Sequence, residues 1–403
     1  MRRLIGWPLA GAGAILMGPA LAQTTAGASE QRQVEATPDP VRVDTGSPVA
    51  GVAQVAIPAQ ITVATRFETY KRSLAARALR EGVRAATVAS LVPGLRLNER
   101  AMQLDYAQRP TGASSGGAPA LSPYLRQHVT PSLISRGRSR YYTLWPNLLW
   151  IYKRYGVDPA VAMAIYGKET SYGQVTGNFD LLEVLASLAF EGRRRQLFET
   201  EFIAALKLVD GGVPRERLRG SYAGATGYPQ FMPTVVQTRR ADGDGDGIAD
   251  IWGNEADALA SIANYLRQAG WKAGVPWGSA VYVPAGLDRN SIRRTVESTQ
   301  CPAVYRRHSR ELTIAQWRAL GIVPLGQRIN DSELAVLMEP DGPGQKAYLL
   351  TSNYRAILAY NCSNFYGMSV SLLADAIARR DQAIASGGGA QPAEGRSVDG
   401  QAS

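Results

Sequence analysis

Apolar residues recur every three to four positions through most of the chain, a spacing that predicts amphipathic helices. Asp158 followed by Pro159 predicts a helix start, because aspartate caps free N–H groups and proline fits the first helical position. Gly270 predicts the end of the helix that precedes it, over 256–269. We therefore expect helices over residues 67–92, 132–155, 159–171, 181–190, 195–209, 256–269 and 358–380.

The pattern changes after Trp271, where short strand-like segments appear at 280–283, 303–305 and 334–338. A turn sequence over 341–344 separates the last of these from residues 346–350, which predicts a hairpin. The expected fold class is therefore mainly α, or α+β, with a helical body and a small β-containing insertion over 275–352.

The N-terminus predicts export. Arg2 and Arg3 precede an apolar run over 4–21, and Ala20 and Ala22 form a small-x-small cleavage site before Gln23, as in a secretory signal peptide. The alternative is a membrane anchor, but glycines and prolines interrupt the run. No cysteine lies near the cleavage site, and no later stretch is long and apolar enough to span a membrane. We expect a periplasmic protein.

Composition divides the rest of the chain. We expect a signal peptide over 1–22, a flexible leader over 23–61, a helical N-terminal part over 62–155 and a disordered tail over 386–403. The chain has 403 residues, of which 45% are hydrophobic, so it can form a substantial core.

The net charge of +10 favours an anionic partner, which could be nucleic acid, anionic lipid or an acidic polymer. Two cysteines and two histidines argue against a metal site built from those residues, so acid–base chemistry must use carboxylates or tyrosines. Cys301 and Cys362 are expected to form a disulfide in an oxidising compartment. The alternative is a pair of buried thiols.

Glu169 is the first candidate for chemistry. Helical spacing places it on the face of Ile165 and Tyr166. A carboxylate among apolar neighbours has a raised pKa, which suits a general acid. The alternative is a surface glutamate paired with Lys168.

Residues 242–250 resemble a calcium-binding loop. Aspartates occupy positions 1, 3, 5 and 9, glycine occupies position 6, and position 7 would supply a backbone carbonyl. Position 12 is Gly253 instead of glutamate, and Asp257 could substitute. The predicted ligands of a structural calcium ion are Asp242, Asp244, Asp246, Ile248, Asp250 and Asp257. The alternative is a solvated Asp-Gly turn.

Two further segments carry glycines, aromatic residues and amides. Residues 220–233 combine three glycines with tyrosine and phenylalanine, and residues 360–367 combine tyrosine, asparagine and serine. Glycines let a backbone approach a ligand closely, and flat rings can stack on sugars. Each segment alone also fits a packed turn.

Taken together, these four segments resemble the lytic murein transglycosylase B family, glycoside hydrolase family 103, over about residues 67–377. The resemblance implies a lysozyme-like helical core formed by 156–274 and 353–385. It also implies cleavage of the β-1,4 bond between N-acetylmuramic acid and N-acetylglucosamine in peptidoglycan, with a 1,6-anhydromuramoyl product. No cofactor is implied for catalysis.

The resemblance assigns roles to individual residues. Glu169 would act as the single general acid and base, and Ser221 would orient the substrate's N-acetyl carbonyl. Tyr228 and Gln230 would contact the saccharide. Other implied contacts are Tyr360 near the acid, Asn361 and Tyr366 along the cleft, and Arg193 with Arg194 toward the acidic stem peptide. The alternative for the two arginines is a solvated basic face.

The implied partners are peptidoglycan glycan strands and their stem peptides, with no nucleic acid and a monomeric chain. Pro229 stands where the family pattern has glycine, and Asp257 is displaced by one residue from the expected last calcium ligand. Cys362 lies within the tyrosine motif, where a disulfide would stiffen the cleft wall. Alternative functions are a hydrolytic muramidase, a non-catalytic wall-binding protein, and a nucleic-acid binder suggested by charge alone.

Overall fold

A computed structural model describes residues 62–108, 120–298 and 301–387, with side chains as far as residue 378. The predicted signal peptide and leader lie outside the described residues. So does the predicted tail, except that its first two positions belong to the last helix. Helices predominate in the described part of the chain, so the predicted mainly α class is confirmed.

Six helices form the N-terminal part. They are α1 (Val63–Arg80), α2 (Ala85–Leu91), α3 (Glu99–Ala107), α4 (Leu121–His128), α5 (Pro131–Thr143) and α6 (Trp145–Tyr155). The predicted helix over 67–92 is broken at Gly82, which has φ +88°. The predicted single helix over 132–155 was also wrong. It breaks at Leu144 because Pro146 lacks an N–H and its ring would clash with the preceding turn.

The next elements surround one buried helix. They are α7 (Pro159–Thr170), β1 (Phe179–Asp180), α8 (Leu181–Glu191), α9 (Arg195–Asp210), a short 3₁₀ turn (Arg215–Arg217), β2 (Arg219–Gly220), α10 (Pro233–Arg239) and α11 (Glu255–Gln268). Asp158 caps α7 as predicted, since its side chain accepts from the Ala160 N–H at 2.8 Å. Every residue of α7 from Ala160 to Gly167 is buried, so neighbouring elements enclose it on all sides.

The insertion is a five-stranded antiparallel sheet with two short helices. Its elements are β3 (Gly278–Tyr282), α12 (Pro302–Tyr305), β4 (Leu312–Thr313), α13 (Ile314–Ala319), β5 (Val323–Pro324), β6 (Leu334–Met338) and β7 (Ala347–Thr351), with strand order β4-β6-β7-β3-β5. The predicted β6–β7 hairpin is confirmed. The predicted strand over 303–305 is instead helix α12, because Pro302 presets the first helical position.

The central strands of this sheet are buried on both faces. Ala335 and Leu337 of β6 pack into a small core within the insertion, around Trp317. Their neighbours Val336 and Met338 point the opposite way, into the core that surrounds α7. The sheet therefore joins the insertion to the helical body through a continuous apolar contact.

Two helices complete the fold, α14 (Ser352–Tyr360) and α15 (Asn364–Gly387). The predicted helix over 358–380 is interrupted at residues 361–363, and α15 packs directly against α7. Cys362 lies in this interruption. It forms the predicted disulfide with Cys301 of the insertion, with a Cα–Cα separation of 5.9 Å.

Candidate active site

Glu169 lies in the last turn of α7, where the chain reverses sharply. Ser171, Tyr172 and Gly173 all have left-handed φ angles, of +52°, +61° and +80°. Such φ angles are costly for residues other than glycine and persist only where the surroundings enforce them. Tyr172 supplies that enforcement, because its buried hydroxyl donates to the Leu133 carbonyl at 3.0 Å.

The Glu169 carboxyl is partly buried and has one strong donor. The Tyr366 hydroxyl donates to its Oε1 at 2.6 Å. Burial raises the pKa of Glu169 to about 7, while the Tyr366 hydrogen bond and the nearby Lys168 charge oppose the rise. Burial also lowers the pKa of Lys168 to about 8. Near neutral pH, Glu169 therefore exists in both protonation states.

Tyr360 is the last residue of α14, and Tyr366 lies in the first turn of α15. Their rings are nearly parallel, at 9°, with centroids 6.4 Å apart. The Tyr360 hydroxyl donates to the Pro229 carbonyl at 2.6 Å. Burial raises the pKa of both tyrosines, so both are neutral donors near pH 7. The predicted motifs at 220–233 and 360–367 thus meet beside Glu169.

Ser221 stabilises the turn at the start of the glycine-rich segment. Its buried Oγ accepts from the N–H groups of Ala223 at 3.3 Å and Ala225 at 3.1 Å. Gly220 is required here, because a Cβ would overlap the Ala225 carbonyl oxygen. A serine hydroxyl that accepts these bonds can also donate one of its own.

Tyr228 and Gln230 lie close to the end of α7. The Tyr228 ring is 5.5 Å from that of Tyr166, and its carbonyl accepts from Thr170 Oγ1 at 3.3 Å. Gln230 has a left-handed φ of +51°, and its Nε2 donates to the carbonyls of Thr176 at 3.1 Å and Gly227 at 2.9 Å. These bonds orient the amide so that its Oε1 can accept from a ligand.

Asn361 ends α14 next to the disulfide. Its backbone N–H is 3.4 Å from the Ile357 carbonyl, and its own carbonyl accepts from the Ser363 N–H at 2.8 Å. Its side chain is only partly buried, and the residue lies in the turn between Tyr360 and Tyr366.

Arg193 and Arg194 lie between α8 and α9, and both pair with Asp105 of α3. Arg193 Nη2 contacts Asp105 Oδ2, and Arg194 Nη2 lies 2.5 Å from Oδ1. The Arg194 guanidinium also covers the Phe198 ring, at 4.7 Å from its centroid. The Glu191 carboxylate also lies beside the pair, since it accepts the Arg193 backbone N–H at 3.0 Å.

Glu255 is a polar residue of this region that the sequence analysis missed. Its Oε1 accepts from the Tyr166 hydroxyl at 2.8 Å and from Arg140 Nη1 at 2.6 Å. Tyr166 is three residues before Glu169 and its hydroxyl approaches Gly173. The first-turn position of Glu255 in α11 signals only a favourable helix-dipole contact, and its partners are remote in sequence.

The aspartate-rich loop brings three predicted ligands together. One carboxylate oxygen from each of Asp242, Asp244 and Asp257 lies within 4.8 Å of the others. Asp257 is fully buried, and both its oxygens accept backbone N–H groups, from Gly243 at 2.8 Å and Asp250 at 2.7 Å. Such a set of oxygens fits a hard cation.

The other predicted ligands lie outside this three-carboxylate group. Asp250 forms an ion pair with Arg217, and its Oδ1 accepts from Trp252 N–H at 3.0 Å. Asp246 Oδ1 accepts from the Ile248 N–H at 2.7 Å.

Comparisons with known proteins identify the family of this chain. The Transglycosylase SLT domain family matches residues 66–375. The chain is 29% identical over 286 residues to membrane-bound lytic murein transglycosylase B of Escherichia coli, which covers 70% of this chain and 73% of that protein.

Solved structures give the same result. SltB3 from Pseudomonas aeruginosa, in complex with NAG-anhNAM-pentapeptide, matches with a TM-score of 0.68 and 34% identity, covering 78% of this chain and 80% of that one. The Escherichia coli lytic transglycosylase Slt35, in complex with calcium, matches with a TM-score of 0.62 and 26% identity, covering 77% and 93%. The predicted lysozyme-like fold is confirmed by these neighbours. The chain belongs to the Transglycosylase SLT domain family of lytic murein transglycosylases.

Proposed function

We propose that this protein is a peptidoglycan lytic transglycosylase, which cleaves the β-1,4 bond between N-acetylmuramic acid and N-acetylglucosamine and leaves a 1,6-anhydromuramoyl end. The observation that carries the proposal is the Glu169 carboxyl, with a pKa of about 7 and Tyr366 as its hydroxyl donor. Membership of the family supports the same reaction.

In the first step, protonated Glu169 gives its proton to the glycosidic oxygen as the bond to the anomeric carbon breaks. A carboxyl with a pKa near the working pH is an effective general acid. The substrate's own N-acetyl oxygen forms a bond to the anomeric carbon. Tyr366 stabilises the carboxylate left behind, since its hydrogen bond favours the ionised form.

In the second step, the Glu169 carboxylate takes the proton of the C6 hydroxyl. The C6 oxygen then attacks the anomeric carbon and displaces the N-acetyl oxygen, which closes the anhydro ring. Glu169 regains its proton, and no water is consumed. One carboxylate therefore serves both steps, whereas hydrolytic glycosidases usually use two.

The surrounding side chains suit substrate positioning. The Ser221 hydroxyl can donate to the N-acetyl carbonyl, and Gln230 Oε1 can accept from the saccharide. Tyr228, Tyr360 and Asn361 would border the sugar. The role of Arg193 and Arg194 toward the stem peptide stays a prediction, with Asp105 already bound to both.

We also propose a structural calcium ion held by Asp242, Asp244 and Asp257. A bound cation would neutralise three converging carboxylates and fix the loop against the start of α11. Asp246, Asp250 and the Ile248 carbonyl stay predicted ligands. The calcium-bound state of Slt35 supports this proposal. No catalytic step is assigned to the ion.

A periplasmic location follows from the predicted signal peptide over 1–22. Within the described residues, no helix combines the length and apolarity that crossing a membrane requires. The Escherichia coli relative is membrane-bound by name. The monomeric state stays a prediction.

Mass spectrometry of digested peptidoglycan tests the reaction. We expect anhydromuropeptides from the mature protein and none from Glu169→Gln. Glu216→Gln, at an exposed glutamate beyond α9, is the matched control and should keep full activity. Both variants must bind sacculi, which shows that they are folded.

The product identifies which alternative applies if this expectation fails. Reducing-end products that disappear in Glu169→Gln would indicate a hydrolytic muramidase. Binding without release of any product from the native protein would indicate a wall-binding protein. Equal activity of native protein and Glu169→Gln would remove Glu169 from the mechanism.

A further inference from the structure

A strongly basic cavity lies in the β-containing insertion. Its volume is about 480 Å³, within the usual range for ligand sites. It is bounded by the segments 289–298 and 302–309 and by the end of β6. Two glutamates, Glu297 and Glu339, and five arginines line it: Arg289, Arg293, Arg294, Arg306 and Arg307.

The arginines are not balanced by nearby acids. Arg289 forms a bidentate ion pair with Glu339, with N–O distances of 2.8 and 2.9 Å. Within residues 62–108, 120–298 and 301–378, no salt bridge joins the other four arginines to a carboxylate. His308 at the cavity wall adds no charge near neutral pH, because burial lowers its pKa to about 4. The cavity therefore carries a surplus of positive charge.

The aromatic rings in and beside the cavity are already covered. The Arg294 guanidinium lies 5.3 Å from the Tyr305 ring centroid, and that of Arg307 lies 6.0 Å from the Phe365 centroid. These contacts hold the guanidiniums in place and leave their remaining N–H donors for an anion. They also occupy ring faces on which nucleic-acid bases would stack, so the cavity suits carboxylates better than a nucleic acid.

The cavity is coupled to the turn that holds Tyr366. His308 Nε2 is 2.9 Å from Asn364 Oδ1, and Asn364 Nδ2 donates to the Val304 carbonyl at 3.1 Å. Phe365, which Arg307 covers, is adjacent in sequence to Tyr366. The wall of the cavity therefore contacts the first turn of α15, which carries Tyr366.

We propose that this cavity binds the carboxylates of a peptide stem attached to the glycan. The inference rests on the proposed function, since it assigns a second part of the same substrate. The two parts suit different regions of the protein, because the stem carries carboxylates whereas the sugars that bear it are uncharged, since the lactyl carboxyl forms the amide bond to the stem. A volume of about 480 Å³ accommodates a few residues of peptide.

Calorimetric binding to matched ligands tests the inference. The full mature chain with Glu169→Gln is titrated with NAG-NAM-pentapeptide, with the same ligand carrying amidated carboxyls, and with peptide-free NAG-NAM. The test variant adds Arg293→Gln and Arg306→Gln, two exposed cavity arginines. The matched control adds Arg66→Gln and Arg80→Gln, two exposed arginines of α1, with the same loss of charge.

We expect the cavity variant to bind the native pentapeptide ligand about fivefold more weakly, a typical effect for two partly exposed charge contacts. Its affinity for the amidated and peptide-free ligands should not change, and the α1 variant should match the parent. An unchanged affinity, an equal loss in the α1 variant, or an equal loss with the amidated ligand would overturn the inference. Selective loss of binding to a DNA oligonucleotide or anionic vesicles would do the same.

This test is independent of the reaction. If the native protein forms anhydro products while the cavity variant binds all ligands normally, only the inference fails. If binding depends on the cavity arginines but the native protein forms no anhydro product, the proposed function fails and the peptide site stands.

Discussion

At the scale of single residues, burial and the Tyr366 hydroxyl shift the pKa of Glu169 in opposite directions. Burial at the end of α7 favours the neutral carboxyl, and the Tyr366 hydroxyl favours the carboxylate. A residue that must first give and later take a proton needs both states within reach. The pKa of about 7 reflects this balance.

Tyr366→Phe should remove the stabilisation of the carboxylate. The pKa of Glu169 then rises further, so the alkaline limb of the kcat/KM–pH profile moves to higher pH. Loss of one hydrogen bond to a charged group predicts a fall in kcat of about ten- to a hundredfold. Initial rates of anhydromuropeptide release between pH 5 and 9 measure both effects. Tyr348→Phe, at a buried tyrosine of β7, is the control, and an equal fall there would contradict the assignment.

Glu169→Gln should stabilise the fold above neutral pH. The folded pKa of Glu169 is raised above the unfolded value of 4.5, so the native state loses stability as pH rises from about 4.5 to 7. Removing the charge should therefore raise the free energy of unfolding by about 1–2 kcal/mol at pH 8, and by almost nothing at pH 4.5. Urea unfolding at the two pH values measures this difference. Glu216→Gln should show no such pH dependence, and a variant less stable than native protein at pH 8 would refute the argument.

The role of a residue could be predicted only where its neighbours in sequence also determine its surroundings. The general-acid candidate Glu169 was visible because helical spacing placed it among apolar residues. Glu255 was not, because Arg140 and Tyr166 come from two other helices. The pairing of Arg193 and Arg194 with Asp105 was invisible for the same reason.

At the scale of elements, the turn between α14 and α15 is fixed from outside. The Cys301–Cys362 disulfide and the hydrogen bonds of Asn364 both tie it to the insertion. Tyr360 and Tyr366 lie on either side of this turn, so its position determines where their hydroxyls point.

Loss of the disulfide should therefore affect both stability and activity. Cys301→Ser with Cys362→Ser should lower the free energy of unfolding by about 3 kcal/mol, as expected for a long closed loop. It should also lower kcat severalfold, because Tyr366 would be held less firmly. The Tm measures the loss of stability, and the rate of anhydro-product release measures the loss of activity. Reduction of the native protein should reproduce both effects. If neither stability nor activity changes, the bridge does not stiffen the cleft wall.

The aspartate loop predicts calcium-dependent stability. Calcium at a hundred times its Kd should add about 2.7 kcal/mol and raise Tm, and a chelator should reverse the change. Asp257→Asn should abolish the calcium shift, because it replaces the one buried carboxylate of the three that converge here. Magnesium serves as the control cation. Equal Tm values with calcium and with chelator would contradict the proposed site.

The elements themselves were largely predictable, and the failures have local causes. Asp158 and Gly270 marked helix ends correctly, since caps act through adjacent backbone groups. The apolar pattern over 132–155 predicted one helix, but Pro146 divides it into two. Residues 303–305 have strand-like composition but form a helix, because Pro302 starts one and the disulfide holds Cys301, the residue that precedes it.

At the scale of the whole molecule, a net charge of +10 should draw the protein to its anionic polymer. Screening weakens such attraction at distances beyond about 8 Å at physiological salt. Binding to sacculi should therefore fall severalfold between 50 mM and 500 mM NaCl, mainly through a slower association rate. Sedimentation and stopped-flow assays measure this change, and a salt-independent association rate would show that long-range charge has no role. Melting curves at both salt concentrations control for unfolding.

The overall fold could be predicted because four motifs occur in the order typical of one family. Composition alone indicated only a basic exported protein. Long-range packing was not accessible. Val336 and Leu337 are adjacent and equally apolar, yet they enter different cores. The continuous apolar run over 334–338 is consistent with a strand buried on both faces, but it does not identify which core each side chain enters.

The doubly buried sheet limits how this protein can change during evolution. Because β6 and β7 contribute to two cores at once, the insertion cannot be exchanged as a cassette by recombination at its ends. A foreign module would have to reproduce one apolar face for the helical body and another for itself. New substrate preferences would therefore arise by substitutions around the exposed arginines, while the two-sided strands are inherited as a unit.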